Sequence, residues 1–340
     1  NLNNAEASYA IATPTPTGFV TDGTTIVDPS STFIYMAIRR GPLAEPTSGT
    51  DVFAIDQENS SAPYYTSNFP VDMGFIRRKD NISSWYIYDR LRQGKELVID
   101  TTAAEGTAGN AQFDYMDGFS AGAFASDAYS WMWKRAPSYF DAVAFTKTTS
   151  GAQNVSHNLG VVPEMMWIKV RNDTDNWTVY HKDLGNDKRL LLNGTDAATG
   201  SNSIFFNNTT PTAAQFTIGS IAANSYNFIA YLFASVAGVS KVGSYTGNGS
   251  TQTIDCGFSS GARFVLIKRT DSSQHWILFD STRGIVSGND PSLKLSDTEA
   301  EYSGGDDIDP TSSGFIINND TANGYQLSTS GASYIFYAIA

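Results

Sequence analysis

Cysteine is almost absent from this sequence, and its scarcity excludes two kinds of stabilisation. Cys256 is the only cysteine among the 340 residues. A single thiol cannot form a disulfide within the chain, and it offers no cysteine cluster to a metal such as zinc. Near a predicted strand end, Cys256 is interpreted as a small buried hydrophobic residue. The sequence therefore predicts neither a disulfide scaffold nor a cysteine-based metal site.

Basic charge and long apolar runs are also scarce. The chain has 22 Lys and Arg residues against 34 Asp and Glu residues, a net charge of −12. Binding to phosphate backbones or anionic membranes needs clustered Lys and Arg, so neither partner is expected. The longest apolar run, 228–238, is shorter than the roughly 20 residues of a membrane span. The stretch NLNNAEASYA has neither the basic region nor the apolar run of a signal peptide.

Charged residues as a whole make up only 16% of the chain, whereas aromatic residues make up 13% and glycine occurs 29 times. Polarity comes instead from Ser, Thr, Asn and Gln, which cluster with glycine in short turn-like stretches. Long amphipathic helical patterns are absent. This composition favours an all-β chain with little helix and frequent turns.

Three stretches repeat one pattern. They read IRRKDNISSWYIYD (76–89), IKVRNDTDNWTVYH (168–181) and IKRTDSSQHWILFD (267–280), and in each the Ile and the Trp are nine positions apart. A β-branched run, four or five turn-forming residues and a second β-rich run predict a hairpin. We therefore expect three hairpins of the same design, with each Trp in a core. A platform for stacking on sugars is the alternative for these tryptophans.

Two further elements recur and define the repeat. Aromatic-rich apolar runs occur at 32–39, 127–134, 227–234 and 333–340, with spacings of 95, 100 and 106 residues. Such runs are typical of central strands buried on both faces. An aromatic residue preceded by Gly or Gln recurs within 17–20, 117–120, 214–217 and 313–316. The sequence predicts mostly antiparallel, jelly-roll-like β-sandwiches in tandem over 42–137, 138–236 and 237–340, after a partial repeat at 1–41.

The partial repeat lacks the hairpin that precedes its apolar strand in the other repeats. A central strand with open edges leaves backbone groups unpaired, so 33–38 should pair with strands from outside 1–41. Those strands could come from upstream residues, a neighbouring domain or another subunit by strand addition. We favour the last, and we expect an oligomer.

The reactive side chains of the hairpins vary between repeats. His275 corresponds to Ser84 and Asn176, so it is interpreted as a residue beside a turn. The cations Lys268 and Arg269 recur in the sister repeats and are interpreted as solvated charges at strand ends. No acid and nucleophile stand out, and the chain is predicted not to be an enzyme.

Two groups remain as candidate sites, each with a structural alternative. Trp131, Trp133 and Tyr139 either stack on sugars or add to core packing. Asp306, Asp307 and Asp309, in GGDDIDP, either bind calcium or form an acidic surface turn. No other cofactor is expected.

Three segments carry a family resemblance. They are SHNLGVVPEMMWIKVRNDTDNWTVYHKDLG (156–185), FIAYLFASVAGVSKVGSYTGNGS (228–250) and FVLIKRTDSSQHWILFDSTRG (264–284). They resemble a β-rich module of structural proteins from tailed bacteriophages, especially marine ones, that are labelled tail-fibre or receptor-binding. The resemblance covers about 150–340 and is weaker over 50–140, where NFPVDMGFIRRKDN departs from it.

The resemblance implies an extracellular virion component, in the tail or on the surface, that contacts other virion proteins or its own copies. It implies attachment to a host-surface glycan and carries no catalytic residues. Two alternatives stay open: a polysaccharide-degrading tailspike, and a secreted bacterial adhesin or filament subunit.

Overall fold

A computed structural model describes residues 12–15, 18–21, 32, 43–107, 110–200, 203–220, 225–320 and 324–340. The chain divides into two compact units, Asn1–Leu43 and Ala44–Ala340. In the first unit, β1 (Ala12–Thr15) and β2 (Gly18–Thr21) pair as an antiparallel hairpin. The strand partners predicted for 33–38 fall outside the described residues.

The second unit confirms the prediction of an all-β, sandwich-like fold with antiparallel pairing. Its helical residues within the described part are the short helix α1 (Ser203–Phe206) and a 3-10 turn at Gly49–Asp51. The described residues contain no helix with the length and hydrophobicity of a membrane span. Turn-forming residues between short β-rich runs explain this architecture, because each run is too short to bury a face alone.

The strands fall into three groups, called modules 1, 2 and 3. Module 1 contains β3 (Phe53–Gln57), β4 (Tyr65–Thr66), β5 (Met73–Arg78), β6 (Tyr86–Asp89), β7 (Lys95–Val98), β8 (Gly106–Thr107), β9 (Ala111–Gln112), β10 (Gly118–Ala121) and β11 (Ala128–Trp133). Module 2 contains β12 (Phe140–Thr146), β13 (Gln153–Ser156), β14 (Met165–Val170), β15 (Thr178–His181), β16 (Leu190–Leu191), β17 (Gln215–Ile218) and β18 (Asn227–Phe233). Module 3 contains β19 (Ser240–Thr246), β20 (Gln252–Asp255), β21 (Phe264–Arg269), β22 (Trp276–Asp280), β23 (Asp290–Lys294), β24 (Tyr302–Gly305), β25 (Ile308–Thr311), β26 (Gly314–Ile317) and β27 (Ser333–Ile339).

Each module has one large sheet and one small sheet, in the same order. The large sheets run β3-β11-β5-β6-β7-β8, β12-β18-β14-β15-β16 and β19-β27-β21-β22-β23-β24. The small sheets run β4-β10-β9, β13-β17 and β20-β26-β25. The first strand of every module is therefore an edge strand, and the last strand lies beside it in the interior of the large sheet.

The three Ile-to-Trp stretches are hairpins with one register. Ile76 lies opposite Tyr86, Ile168 opposite Thr178 and Ile267 opposite Ile277. In each hairpin the Ile thus faces the residue that follows the Trp, which accounts for the constant spacing in the sequence. All six tryptophans of the chain are fully buried, as predicted for the repeated ones.

The last strand of each module is buried on both faces, because its side chains alternate between two cores. In β18, Tyr231 and Phe233 point into one core while Ala230 and Leu232 point into another. The second core lies between the two sheets of the same module. The first core, called the shared core, contains side chains from all three modules, including Trp85, Trp177 and Trp276.

A closed cycle of hydrogen bonds joins the modules around the shared core. The indole Nε1 of Trp85 donates to the Lys294 carbonyl at 2.9 Å, so module 1 is bonded to module 3. Trp276 donates to Leu191 at 2.8 Å, from module 3 to module 2. Trp177 donates to Val98 at 2.9 Å, from module 2 to module 1. The 44–340 unit is therefore a ring of three like modules.

The prediction that the repeated cations are solvated is wrong for one cation of each hairpin. Arg77, Lys169 and Lys268 are fully buried, whereas Arg269 is partly exposed and pairs with Asp271. Lys268 Nζ donates to the carbonyls of Gln274 at 2.6 Å and of Thr195, in module 2, at 2.9 Å. Burial lowers the pKa of Lys268 to about 8 and that of Lys169 to about 8. The strand ends that carry these cations are covered by structure that local spacing does not reveal.

Candidate functional site

The ring has three junctions, where module 1 meets module 2, module 2 meets module 3 and module 3 meets module 1. The residue at the end of the second strand of each repeated hairpin differs between these junctions. It is Asp89 in module 1, His181 in module 2 and Asp280 in module 3, each four residues after the repeated Trp. All three side chains are buried. Their hydrogen-bond partners show which junctions are closed by polar networks.

Asp89 and Asp280 hold nearly the same network. Asp280 Oδ2 accepts bonds from Arg283 Nε at 2.7 Å and from Trp131 Nε1, in module 1, at 3.0 Å. Arg283 Nη1 also lies 2.7 Å from Glu301 Oε2. Each buried charge thus has a partner, as a buried ion pair requires.

In module 1 the corresponding carboxylate pairs with an arginine three residues later. Asp89 Oδ2 accepts bonds from Arg92 Nε at 2.5 Å and from the hydroxyl of Tyr231, in module 2, at 2.5 Å. Arg92 Nη1 lies 3.3 Å from Glu105 Oε2. The junctions between modules 1 and 2 and between modules 3 and 1 are therefore closed by carboxylate-arginine networks.

Module 2 departs from this pattern where it meets module 3. His181 replaces the carboxylate, and Leu184 stands where the sister modules have arginine. His181 Nδ1 accepts the backbone N–H of Asp183 at 3.2 Å. Burial lowers the pKa of His181 to about 4, so the imidazole is neutral at pH 7. Within the described residues, no arginine takes the place of Arg92 or Arg283 at this junction.

A cleft of about 370 Å³ opens to solvent at this junction. Its walls are the edge strand β19, the neighbouring strand β20 of the small sheet, and the turn that follows β15 in module 2. The polar and aromatic lining residues are Lys182, Asp183, Lys241, Ser244, Tyr245, Thr253, Asp255 and Phe336. The volume is within the usual range of ligand sites, about 300–1,000 Å³.

The cleft offers both donors and acceptors to a ligand. Lys182 pairs with Glu164 at 2.8 Å. Among the described residues, Lys241 makes no ion pair. The side chains of Ser244 and Thr253 are exposed, and their hydroxyls are free to donate or accept. Asp255 Oδ1 accepts the backbone N–H of Gly257 at 2.8 Å, and its other oxygen can still accept.

The backbone of β19 adds donors and acceptors of its own. Among the described strands, β19 pairs only with β27, so its alternate N–H and C=O groups face away from the sheet. Ser240 N–H donates to Val236 O at 2.9 Å, and Val242 N–H donates to Ser235 Oγ at 2.9 Å, both on that outer side. By the same alternation, the N–H and C=O of Ser244 point outward beside the cleft.

The aromatic residues predicted as ligand candidates lie elsewhere. Trp131, Trp133 and Tyr139 are fully buried in the shared core. Trp131 donates to Asp280, and Trp133 packs edge-on against Phe53 with ring centroids 4.8 Å apart. The structure therefore places these rings in the core-packing role and leaves no face open to a sugar.

In the predicted acidic loop, an asparagine side chain lies between two of the three aspartates. The Asn318 side-chain amide donates to Asp306 Oδ1 at 2.7 Å and to Asp309 Oδ2 at 2.9 Å, while Asp307 is buried. Among the described residues, no group of three or more His, Cys, Asp or Glu side chains is arranged to hold a metal ion. An amide bridge between two carboxylates is an arrangement that sequence reasoning did not anticipate.

The cleft residues were not predicted as a site. One sequence signal could have pointed to the cleft. Asp89 and Arg92 form a D-x-x-R pattern, which Asp280 and Arg283 repeat in module 3, and module 2 lacks this pattern. Comparing the repeats at this position would have marked the module 2 junction as different. It would not have identified Lys241, which lies on another module.

Comparison with known proteins gives a family but no function. The model of a family described as a domain of unknown function (DUF7483) matches residues 52–340, and the chain belongs to this family. The matched range covers all three modules. No curated protein matches the chain.

Proposed function

We propose that this member of the DUF7483 family is a structural protein of a tailed-phage virion, a tail-fibre or surface-fibre component that attaches to host-surface glycans. The open polar cleft between modules 2 and 3 is the observation that carries the attachment role. A fibre component would act outside the cell, beside other virion proteins or further copies of this chain.

The chemistry of the cleft supports a glycan ligand. Sugars present many hydroxyl groups, each of which donates one hydrogen bond and accepts others. The cleft supplies acceptors at Asp183 and Asp255 and donors at Lys241, together with the hydroxyls of Ser244 and Thr253. Edge-strand positions beside loops are common places for binding residues on a rigid scaffold.

The ring of modules supports a structural role. The buried carboxylates at the closed junctions join modules, because Asp89 accepts the Tyr231 hydroxyl at 2.5 Å and Asp280 accepts the Trp131 indole N–H at 3.0 Å. Arg92 and Arg283 pair with these same carboxylates at 2.5 and 2.7 Å. These charged groups are therefore engaged in the scaffold and are not available to a substrate. This engagement supports a binding protein over an enzyme.

A second candidate, a polysaccharide depolymerase, is favoured by one observation. Asp183 and Asp255 both line the cleft, and sugar hydrolysis uses a pair of carboxyl groups about 5–10 Å apart. Binding without cleavage separates the attachment protein from this alternative.

The test is binding of the purified chain to bacterial capsule and lipopolysaccharide preparations, measured by biolayer interferometry. We expect Ser244→Trp, which fills the cleft, to abolish binding. Ser260→Trp is the matched control, because Ser260 is exposed in the same module and does not line the cleft. It should bind like the unmodified chain.

Product analysis of the same mixtures tests the alternative. We expect no shortened oligosaccharides. Release of such products, abolished by Asp183→Asn or Asp255→Asn, would establish the depolymerase instead. Absence of binding to every preparation, or equal binding by both Trp variants, would refute attachment through the cleft.

A further inference from the structure

We infer that the cleft selects a sugar that carries a carboxylate group and that Lys241 is the residue that binds this group. The inference rests on the proposed glycan-binding function and names the chemical class of its ligand.

The state of Lys241 is the first observation. Some cations at the module surfaces have counter-ions: Lys182 pairs with Glu164 at 2.8 Å, and Arg269 pairs with Asp271 at 2.8 Å. Lys241 lines the cleft and, within the described residues, has no such partner. An ammonium group in a recess without a counter-ion of its own is free to pair with an anion from a ligand.

The second observation is the group of donors around it. Ser244 and Thr253 are exposed hydroxyl residues of the same cleft, and the Ser244 N–H faces outward from the edge of β19. A carboxylate only accepts hydrogen bonds and has about four acceptor positions. The cleft lining thus supplies an ammonium, two hydroxyls and a backbone N–H, which are all donor groups that a carboxylate can accept from.

The third observation is the aromatic wall beside Lys241. At Gly243, two residues further along β19, a β-carbon would lie 2.6 Å from the Phe336 ring, so this ring packs against the strand between Lys241 and Tyr245. The Tyr245 ring is fixed by stacking on Tyr334, with centroids 4.8 Å apart, and by its bond to Leu327 O at 2.8 Å. A fixed aromatic wall suits a sugar ring, because little order is lost on binding.

The carboxylates of the cleft limit the number of acidic groups that a bound sugar can carry. Asp183 and Asp255 accept bonds from sugar hydroxyls, but they repel a second acidic group. The chain also carries a net charge of −12, which opposes the approach of a polyanion. Preference for one acidic sugar unit, flanked by neutral units, must therefore come from Lys241.

The experiment compares an oligosaccharide that contains one hexuronic acid with its carboxyl-reduced, neutral counterpart. Isothermal titration calorimetry of the full chain gives the affinity for each. We expect the acidic form to bind about tenfold more tightly, equivalent to about 1.4 kcal/mol. Lys241→Gln should remove this difference by lowering the affinity for the acidic form.

Lys188→Gln is the matched control, because Lys188 is an exposed lysine of module 2 that does not line the cleft. It should keep the tenfold preference, and circular dichroism should show that both variants are folded. If the unmodified chain binds both forms equally and Lys241→Gln changes nothing, the inference is refuted while glycan binding stands. If neither form binds, and no polysaccharide preparation binds, both the inference and the proposed function fail.

Discussion

Replacement of Asp280 by Asn tests how strongly one buried network stabilises the ring of modules. The carboxylate is fully buried, and its Oδ2 accepts bonds from Arg283 Nε at 2.7 Å and Trp131 Nε1 at 3.0 Å. Its Oδ1 accepts the backbone N–H groups of Thr282 and Arg283 at 3.1 and 2.9 Å. An amide cannot accept all four bonds, and it removes the negative charge that faces Arg283.

The expected loss is large because a charge is left buried. Removing one partner of a buried ion pair costs about 3–5 kcal/mol, and each bond to a charged group contributes about 1.5–3 kcal/mol. Glu301 stays 2.7 Å from Arg283 Nη1 and retains part of the charge compensation. We therefore expect the free energy of unfolding to fall by about 3 kcal/mol, the lower end of that range.

Urea unfolding at pH 7, followed by tryptophan fluorescence, measures this change. All six tryptophans are fully buried, so their emission reports on the cores of every module. Asp271→Asn is the control: Asp271 pairs with Arg269 at 2.8 Å, but its side chain is 40% exposed. Such a surface pair contributes about 0–1 kcal/mol.

Two results would contradict this reasoning. If Asp280→Asn and Asp271→Asn lowered the free energy of unfolding by amounts within about 0.5 kcal/mol of each other, the buried network would not stabilise the ring. If the Asp280→Asn variant unfolded in two separate transitions, the modules would unfold independently, which is inconsistent with a shared core.

Two further predictions concern pH and a close backbone contact. Burial lowers the pKa of His181 from 6.5 to about 4, so its stabilising contribution is present above pH 6.5 and is lost as pH falls through that window toward 4. Urea titrations at several pH values should show that the unmodified chain loses up to about 3 kcal/mol more than His181→Asn over this window; parallel profiles would contradict it. At Gly314, a β-carbon would overlap the Ile254 carbonyl, whereas at Gly151 it would meet nothing within 4 Å. Thermal unfolding should show that Gly314→Ala costs about 1–3 kcal/mol and Gly151→Ala within about 0.5 kcal/mol, and equal losses would refute the close contact.

The sequence by itself determined the strands and hairpins of the modules. The nine-residue spacing from Ile267 to Trp276 predicted a hairpin, and in the structure Ile267 faces Ile277. The apolar run around Tyr231 predicted a strand buried on both faces, and its side chains alternate between two cores. These features depend on neighbours a few residues apart, and on the two-residue period of a strand, so spacing alone reveals them.

The environment of charged side chains was decided by tertiary structure. Lys268 lies next to the last residue of a strand, a position that is commonly solvated. In the structure, the carbonyl of Thr195 from module 2 lies 2.9 Å from its ammonium. Trp131 was left between a sugar platform and core packing, and its bond to Asp280 across a junction shows why it is buried. The burial of each group depends on which surface of another module covers it.

The cleft also combines a feature that the sequence determined with one that only the packing of the modules decided. The absence of a D-x-x-R pair at His181 and Leu184 can be read from the repeats, and it marks one junction as different. The cleft itself brings Asp183 of module 2 beside Lys241 and Asp255 of module 3. Spacing along the chain encodes strands and turns because they are local, whereas a cleft between modules exists only after distant surfaces have packed together.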